Sequence, residues 1–212
     1  MSAANRGRTA RIEKVVTSGQ FCLDGGCWDV DNNVWLIGHD TEVLVIDAPH
    51  DAAPIIDAIA GRNVVAIVLT HGHNDHIGAA LDLSAATGAP LWFPPADRML
   101  WDEIHEKGPD RDLVEGTEFV VAGATLRAIH TPGHSPGSTC LYAAELGTVF
   151  SGDTLFNGGP GATGRSYSDF DTIINSIRTS LLTLPAETVV KTGHGDDTTI
   201  ATEKANLGLA AG

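Results

Sequence analysis

Cysteine is scarce in this chain, positive charge is well outnumbered, and no apolar run is long. The cysteines are three among 212 residues, an odd count without a C-x-x-C pair, which excludes a disulfide framework. Cys22, Cys27 and Cys140 therefore read as buried or loop thiols in a reduced, cytoplasmic setting. A Cys22–Cys27 bridge, or a metal held by that pair, is the alternative. Thirteen Lys and Arg stand against 27 Asp and Glu, a net charge of −14, so the clustered positive surface that nucleic acid needs is not expected. Nothing approaches the ~20 apolar residues of a membrane span, so no membrane partner is expected. Met1 to Lys14 carries Arg6, Arg8 and Arg11 without the apolar core of a signal peptide. Linkers and low-complexity segments are also missing. One domain over residues 11–212, behind a frayed polar tail of residues 1–10, is the expected organisation. With 42% apolar and 19% charged residues, the chain can bury an ordinary core.

What the chain does have is histidine beside glycine and aspartate. Nine histidines are present, and three of them crowd into Thr70-His71-Gly72-His73-Asn74-Asp75-His76. An apolar run, Val64 to Leu69, precedes this stretch, and a small-residue helical pattern follows it. A strand would end here and deliver four metal-ligand side chains, His71, His73, Asp75 and His76, into a loop. Side chains alternate along a strand, which puts His71 and His73 on one side. Gly72 and Asn74 tolerate turns and can send Asp75 and His76 elsewhere, so one loop can serve two neighbouring ions. Two sites need further ligands. His134, Asp153 and His194 stand in similar settings, at strand ends among small residues. Imidazole and carboxylate without thiolate suit zinc, iron or manganese. His39, His50, His105 and His130 are not expected to be ligands.

Elsewhere the pattern predicts strands beginning at Ile12 and covering Asn33 to Ile37, Val43 to Ile46, Val64 to Leu69 and Leu91 to Phe93. Helices are expected over Asp51 to Ala60, residues 77–87 and residues 96–107. Short strands follow at Phe119 to Val121, Ala124 to Ile129, Ser138 to Tyr142 and Thr148 to Phe150. Helix Phe170 to Leu184, strand Thr188 to Val190 and helix Ile200 to Leu207 complete the chain. Phe21 to Asp31 and Asn157 to Gly164 read as loops. Trp28, Trp35, Trp92 and Trp101 read as core aromatics. This is an α/β order in two halves, sheets inside and helices outside.

H-x-H-x-D-H, the segment His130-Thr131-Pro132-Gly133-His134-Ser135-Pro136-Gly137, Ser151-Gly152-Asp153-Thr154-Leu155 and Gly193-His194-Gly195 together resemble the metallo-β-lactamase superfamily in order and spacing. The resemblance covers about residues 30–200. It implies a four-layer αββα sandwich with a dinuclear centre at one sheet edge. Carried over by position, it implies His71, His73 and His134 on one ion, Asp75, His76 and His194 on the other, and Asp153 bridging. Asp47 matches an aspartate that orients the histidine loop, and Asp75 would also orient the nucleophile. Asn32 to Ile37 and Ser151 to Phe156 look most like the glyoxalase II group, in its short single-domain form. That implies two divalent ions, zinc first with iron or manganese as alternatives. A hydroxide between them would cleave an acyl-thiol ester, a small-molecule substrate, in a monomer or homodimer. Arg165 is a candidate contact for an anionic substrate. The alternative within the resemblance is a persulfide dioxygenase with one iron on His71, His134 and Asp153. A β-lactamase or a non-catalytic metal-binding module ranks below both.

Overall fold

The computed structural model describes residues 9–208. Of the expected tail, only Thr9 and Ala10 fall within them, and Ala10 packs against the central core. Strand β1 (Arg11–Leu23) runs antiparallel to β2 (Gly26–Gly38) around a two-residue turn, Asp24-Gly25. The turn's φ angles, 54° and 78°, are those of the mirror-image turn that Asp-Gly favours in hairpins. The loop expected over Phe21–Asp31 is therefore a hairpin tip. The register sets Cys22 opposite Cys27, and the two form a disulfide. This corrects the expectation of free thiols: a five-residue separation is short in sequence, but the tight turn brings the two side chains together. Cys140 is a free, buried thiol.

The first sheet continues in chain order with β3 (Glu42–Ile46), β4 (Asn63–Val68), β5 (Leu91–Phe93) and β6 (Arg111–Asp112). Its strands are antiparallel up to β3 and parallel beyond. The second sheet contains β7 (Glu118–Val121), β8 (Ala124–His130), β9 (Thr139–Ala143) and β10 (Thr148–Gly152). A small hairpin, β11 (Leu155–Phe156) and β12 (Gly159–Pro160), takes up part of the expected glycine-rich loop. With β13 (Val189–Thr192) and β14 (Thr198–Thr199), the second sheet runs β14-β13-β10-β9-β8-β7.

Helices α1 (Ala53–Ile59), α2 (Asn74–Ile77), α3 (Ala80–Thr87) and α4 (Arg98–Ile104) belong to the first half of the chain. Helices α5 (Phe170–Ser176) and α6 (Ile200–Asn206) belong to the second. The helix expected over 77–87 is thus two pieces, and the one expected from Phe170 continues from Ile177 to Leu181 as π-helix.

Alternation along the strands builds the layers. Val34, Leu36, Val43, Val45 and Ile67 pack outward against Ile55 and Ile59 of α1, Leu83 of α3 and Trp101 of α4. Their neighbours Trp35, Ile37, Leu44, Ile46 and Val68 face the second sheet and meet Phe119, Leu126, Leu141 and Phe150. On that sheet's far side, Cys140, Val149 and Val190 meet Ile173, Ile177, Leu181 and Ile200. The order helix, sheet, sheet, helix is the expected αββα sandwich. Burying each of these large aliphatic side chains contributes on the order of 2 kcal/mol. No helix among the described residues is long and apolar enough to cross a membrane.

Strands β3 and β4 are mutually parallel, as are β10 and β13, while β8 and β10 both run against β9. The carboxyl ends of β3 and β4 therefore lie at one edge of the first sheet, and those of β8, β10 and β13 at one edge of the second, the ends at which α/β sheets commonly open their crevices.

Candidate metal centre

Every expected ligand leaves a strand at one of these carboxyl ends. Asp47 follows β3, His71 and His73 follow β4, His134 follows β8, Asp153 follows β10 and His194 follows β13. His71 and His73 lie in an extended loop rather than on a strand face. His73 is the N-cap of α2, and that single turn carries Asp75 and His76. The structure brings all seven residues together in three overlapping groups whose ligand atoms lie within 4.8 Å: His71-His73-His134, His71-His76-Asp153 and Asp75-His76-His194.

Within the first group, His71 Nε2 and His73 Nδ1 are 3.0 Å apart. Within the last, His194 Nε2 lies 3.2 Å from His76 Nε2 and 3.3 Å from Asp75 Oδ2. Asp153 spans them. Its Oδ1 is 3.3 Å from His76 Nε2, and its Oδ2 is 3.6 Å from His134 Nε2 and 3.3 Å from His194 Nε2.

Partners behind the rings set which nitrogen faces inward. His76 Nδ1 donates to Asp47 Oδ2 at 2.8 Å, His134 Nδ1 to the Ala162 carbonyl at 2.8 Å and His194 Nδ1 to the Asp31 carbonyl at 2.8 Å. Thr70 Oγ1 donates to Asp47 Oδ2 and lies 3.1 Å from His71 Nδ1, placed to accept from it. Each anchored ring thereby turns an Nε2 lone pair to the centre, as metal-ligating imidazoles do. His73 Nε2, Asp75 Oδ1, His134 Nε2 and Asp153 Oδ1 are buried without a hydrogen-bond partner. Lone pairs converging in a buried space are costly unless a cation lies among them. The donor set, imidazole and carboxylate only, fits borderline divalent ions.

The charges divide the centre. Burial, with His76 and His73 adding repulsion, holds the His71 pKa well below its ordinary value, and burial takes His73 to about 3. Burial pushes the same way on His76 and His194. There Asp153 and Asp75 outweigh it, leaving His76 well above the ordinary range and His194 at about 10. Burial likewise opposes the Asp153 charge, but His194 and His76 hold its carboxyl well below the usual range.

Some neighbours were not legible beforehand. Asn32 is fully buried and donates from Nδ2 to Asp75 Oδ2 at 3.1 Å, while its Oδ1 accepts from His50 Nε2 at 2.7 Å. His50 thus touches the centre through Asn32. His39, His105 and His130 bond elsewhere. Asp97 is buried with its carboxylate against the histidine loops. The helix expected over residues 96–107 places Asp97 inside it, where no local signal marks it as a partner of the histidine loops.

Above the centre is a cavity of about 230 Å³ whose lining includes His73, Asp75, His134, Asp153 and His194. The hairpin tip supplies an apolar wall of Phe21, Leu23, Trp28 and Val30, and the facing loop supplies Arg165. Trp35 and Trp101 are core residues, and Trp92 packs against the core between the sheets. Trp28 is 43% exposed and belongs to this mouth, a correction to its reading as core. The missed signal was the Asp-Gly turn between two aromatics. The Arg165 guanidinium stacks 3.8 Å from the Trp28 ring centre and 5.0 Å from that of Phe21.

Residues 28–194 match the metallo-beta-lactamase superfamily. The chain belongs to that superfamily. This metallo-beta-lactamase superfamily member is 34% identical over 193 residues to the hydroxyacylglutathione hydrolase GloC of Haemophilus influenzae, covering 84% of this chain and 87% of that protein. Among solved structures it resembles BLEG-1 B3 metallo-beta-lactamase, with a TM-score of 0.78 and 29% identity over 92% of this chain and 100% of that one. It also resembles ETHE1 from Myxococcus xanthus, with a TM-score of 0.71 and 25% identity over 90% of this chain and 82% of that one.

Proposed function

We propose that this chain is a divalent-metal hydrolase that cleaves thioesters of a low-molecular-weight thiol. The observation that carries the reading is Asp153, whose two oxygens reach both ligand groups at the floor of the cavity. His71, His73 and His134 would hold one ion and Asp75, His76 and His194 the other, with zinc the first choice and iron or manganese compatible with the same donors. Such ions, when bound, polarise a carbonyl and make water acidic enough to attack it near neutral pH. Asn32 holds Asp75 Oδ2 and leaves Oδ1 without a partner, so Oδ1 can accept a proton from the attacking water and orient it. As the acyl carbon–oxygen bond forms, the carbon–sulfur bond breaks and the thiol leaves with a proton. Phe21, Leu23, Trp28 and Val30 shield the reacting carbon from bulk water. The similarity to GloC supports this substrate class.

A second reading, an iron-dependent persulfide dioxygenase using His71, His134 and Asp153, is favoured by the similarity to ETHE1. It leaves His73, Asp75, His76 and His194 without a direct role. Metal analysis combined with thiol release from acyl-thiol esters, oxygen uptake with a persulfide, and hydrolysis of a β-lactam separates the readings. Two ions with thiol release is the expected result. One iron with oxygen uptake, or β-lactam hydrolysis alone, overturns the thioesterase reading.

A further inference from the structure

Asp97 occupies the N-cap position of α4, where an aspartate ordinarily accepts from the helix's own first N–H groups. Its side chain caps nothing there. It turns inward instead and is 0% exposed. A buried carboxylate is costly without donors, and Asp97 has three. Oδ2 accepts from the Gly72 N–H at 2.8 Å and the Ser135 hydroxyl at 2.6 Å, and Oδ1 accepts from the Gly137 N–H at 2.5 Å.

The location of those donors matters. Gly72 lies between His71 and His73, and Ser135 follows His134. One carboxylate therefore holds the backbone between His71 and His73 and the side chain next to His134, beside all three members of the first ligand group. The two glycines make this approach possible. A Cβ at Gly72 would sit 2.8 Å from Asp97 Cβ, and one at Gly137 would sit 2.7 Å from Asp97 Cγ. None of the three bonds goes to Asp75, His76 or His194, while Asp47 serves His76 directly and His71 through Thr70.

We propose that Asp97 is a positioning residue that selectively sets cation affinity at His71-His73-His134. The proposal rests on the metal reading of the centre. Asp97 would serve the first group alone, whereas Asp47 reaches His76 directly and His71 through Thr70, so a change at Asp97 can tune the first site without the second.

The test is zinc affinity by chelator competition on purified protein, with folding followed by circular dichroism. Asp97→Asn is made in two backgrounds: His194→Ala, which cripples the second group, and His134→Ala, which cripples the first. In the His194→Ala background, Asp97→Asn is expected to weaken the remaining zinc by 10- to 100-fold, the range for lost outer-shell partners. In the His134→Ala background it is expected to leave the remaining zinc unchanged. Equal losses in both backgrounds, or none in either, overturn the proposal. If Asp97→Asn fails to fold, Ser135→Ala removes one donor only and should show the same selectivity at about threefold; no selectivity there overturns it as well. A wild-type protein that binds no zinc, iron or manganese would overturn the metal reading itself. Two wild-type ions with an unaffected Asp97→Asn would overturn only the role of Asp97.

Discussion

His76 Nδ1 donates to Asp47 Oδ2 across 2.8 Å, and both side chains are almost fully buried. Asp47 also accepts from the Thr70 backbone N–H at 2.7 Å and holds a left-handed φ of 64°. Asparagine tolerates that backbone, so Asp47→Asn should fold but present an amide where His76 needs an acceptor. Affinity for the ion at Asp75-His76-His194 should fall 10- to 100-fold, read by chelator competition. Asp47→Ala should in addition lower the thermal midpoint, because alanine pays ~1 kcal/mol in the left-handed region.

His73 lies in the first group and makes no contribution to the sheets. His73→Ala should stay folded, lose one of two bound ions and lose hydrolysis by at least a hundredfold, on the order of 3 kcal/mol of transition-state stabilisation. Elemental analysis and steady-state rates check both. Full activity with one ion would remove the dinuclear reading.

Arg165 rests on Trp28 and Phe21 with Nη1 buried and unpaired, and it is the one Lys or Arg among the described cavity residues. For a thioester with a carboxylate in its thiol half, Arg165→Gln should raise KM about tenfold with kcat little changed, the signature of lost uniform binding. The neutral amide analogue should show no such change. Trp28→Ala should shift KM in the same direction, since it removes the surface that holds the guanidinium flat.

The Cys22–Cys27 bridge closes a very short loop, so its chain-entropy contribution is at most ~2 kcal/mol. Its larger effect should be local, because Phe21, Leu23 and Trp28 flank it in the cavity wall. The double variant Cys22→Ser, Cys27→Ser should raise KM several-fold while the thermal midpoint moves little. Amide exchange confined to the hairpin tip would locate the change. An unchanged KM would show that the bonds from Asp24 to Ser166 hold the tip unaided.

Stripped of metal by a chelator, the protein should be most stable near pH 6.5. Burial depresses His73 to about 3. From pH 6.5 down to 3 the unfolded chain takes up a proton that the fold refuses, so stability falls as pH falls. His194 is raised to about 10 by Asp153 and Asp75 against the effect of burial. From pH 6.5 up to 10 the fold keeps a proton that the unfolded chain has lost, so stability falls as pH rises. Chemical denaturation across pH should show both limbs. Added zinc should flatten the alkaline limb, because the ion replaces the proton on His194.

The clustered donor residues and most strands were legible because their signals are local. Val64 to Leu69 is apolar without a break, and His71, His73, Asp75 and His76 follow within one loop. Sheets inside and helices outside were legible from the order of strands and helices, and the four layers from the resemblance that the histidine and aspartate motifs carry. Over Phe21–Asp31 the Gly, Asp and Cys content favours a loop, but the left-handed turn at Asp24-Gly25 closes a hairpin there instead. The break between α2 and α3 was missed because Gly78-Ala79 does not interrupt the apolar pattern.

By itself, the sequence determined the donor chemistry: imidazoles and carboxylates at strand ends, in an order that one family shares. Tertiary structure alone decided how those donors are held and what roofs them. Asp97 reaches Gly72 and Ser135 from a separate helix start, Asn32 reaches Asp75 across 43 residues, and Arg165 lies flat on Trp28 from a loop on the opposite sheet. Such contacts depend on where distant strand ends meet in space: no periodicity or spacing marks Asp97 or Asn32 in advance, and nothing local to Arg165, a candidate substrate contact from the sequence, names Trp28 as its platform.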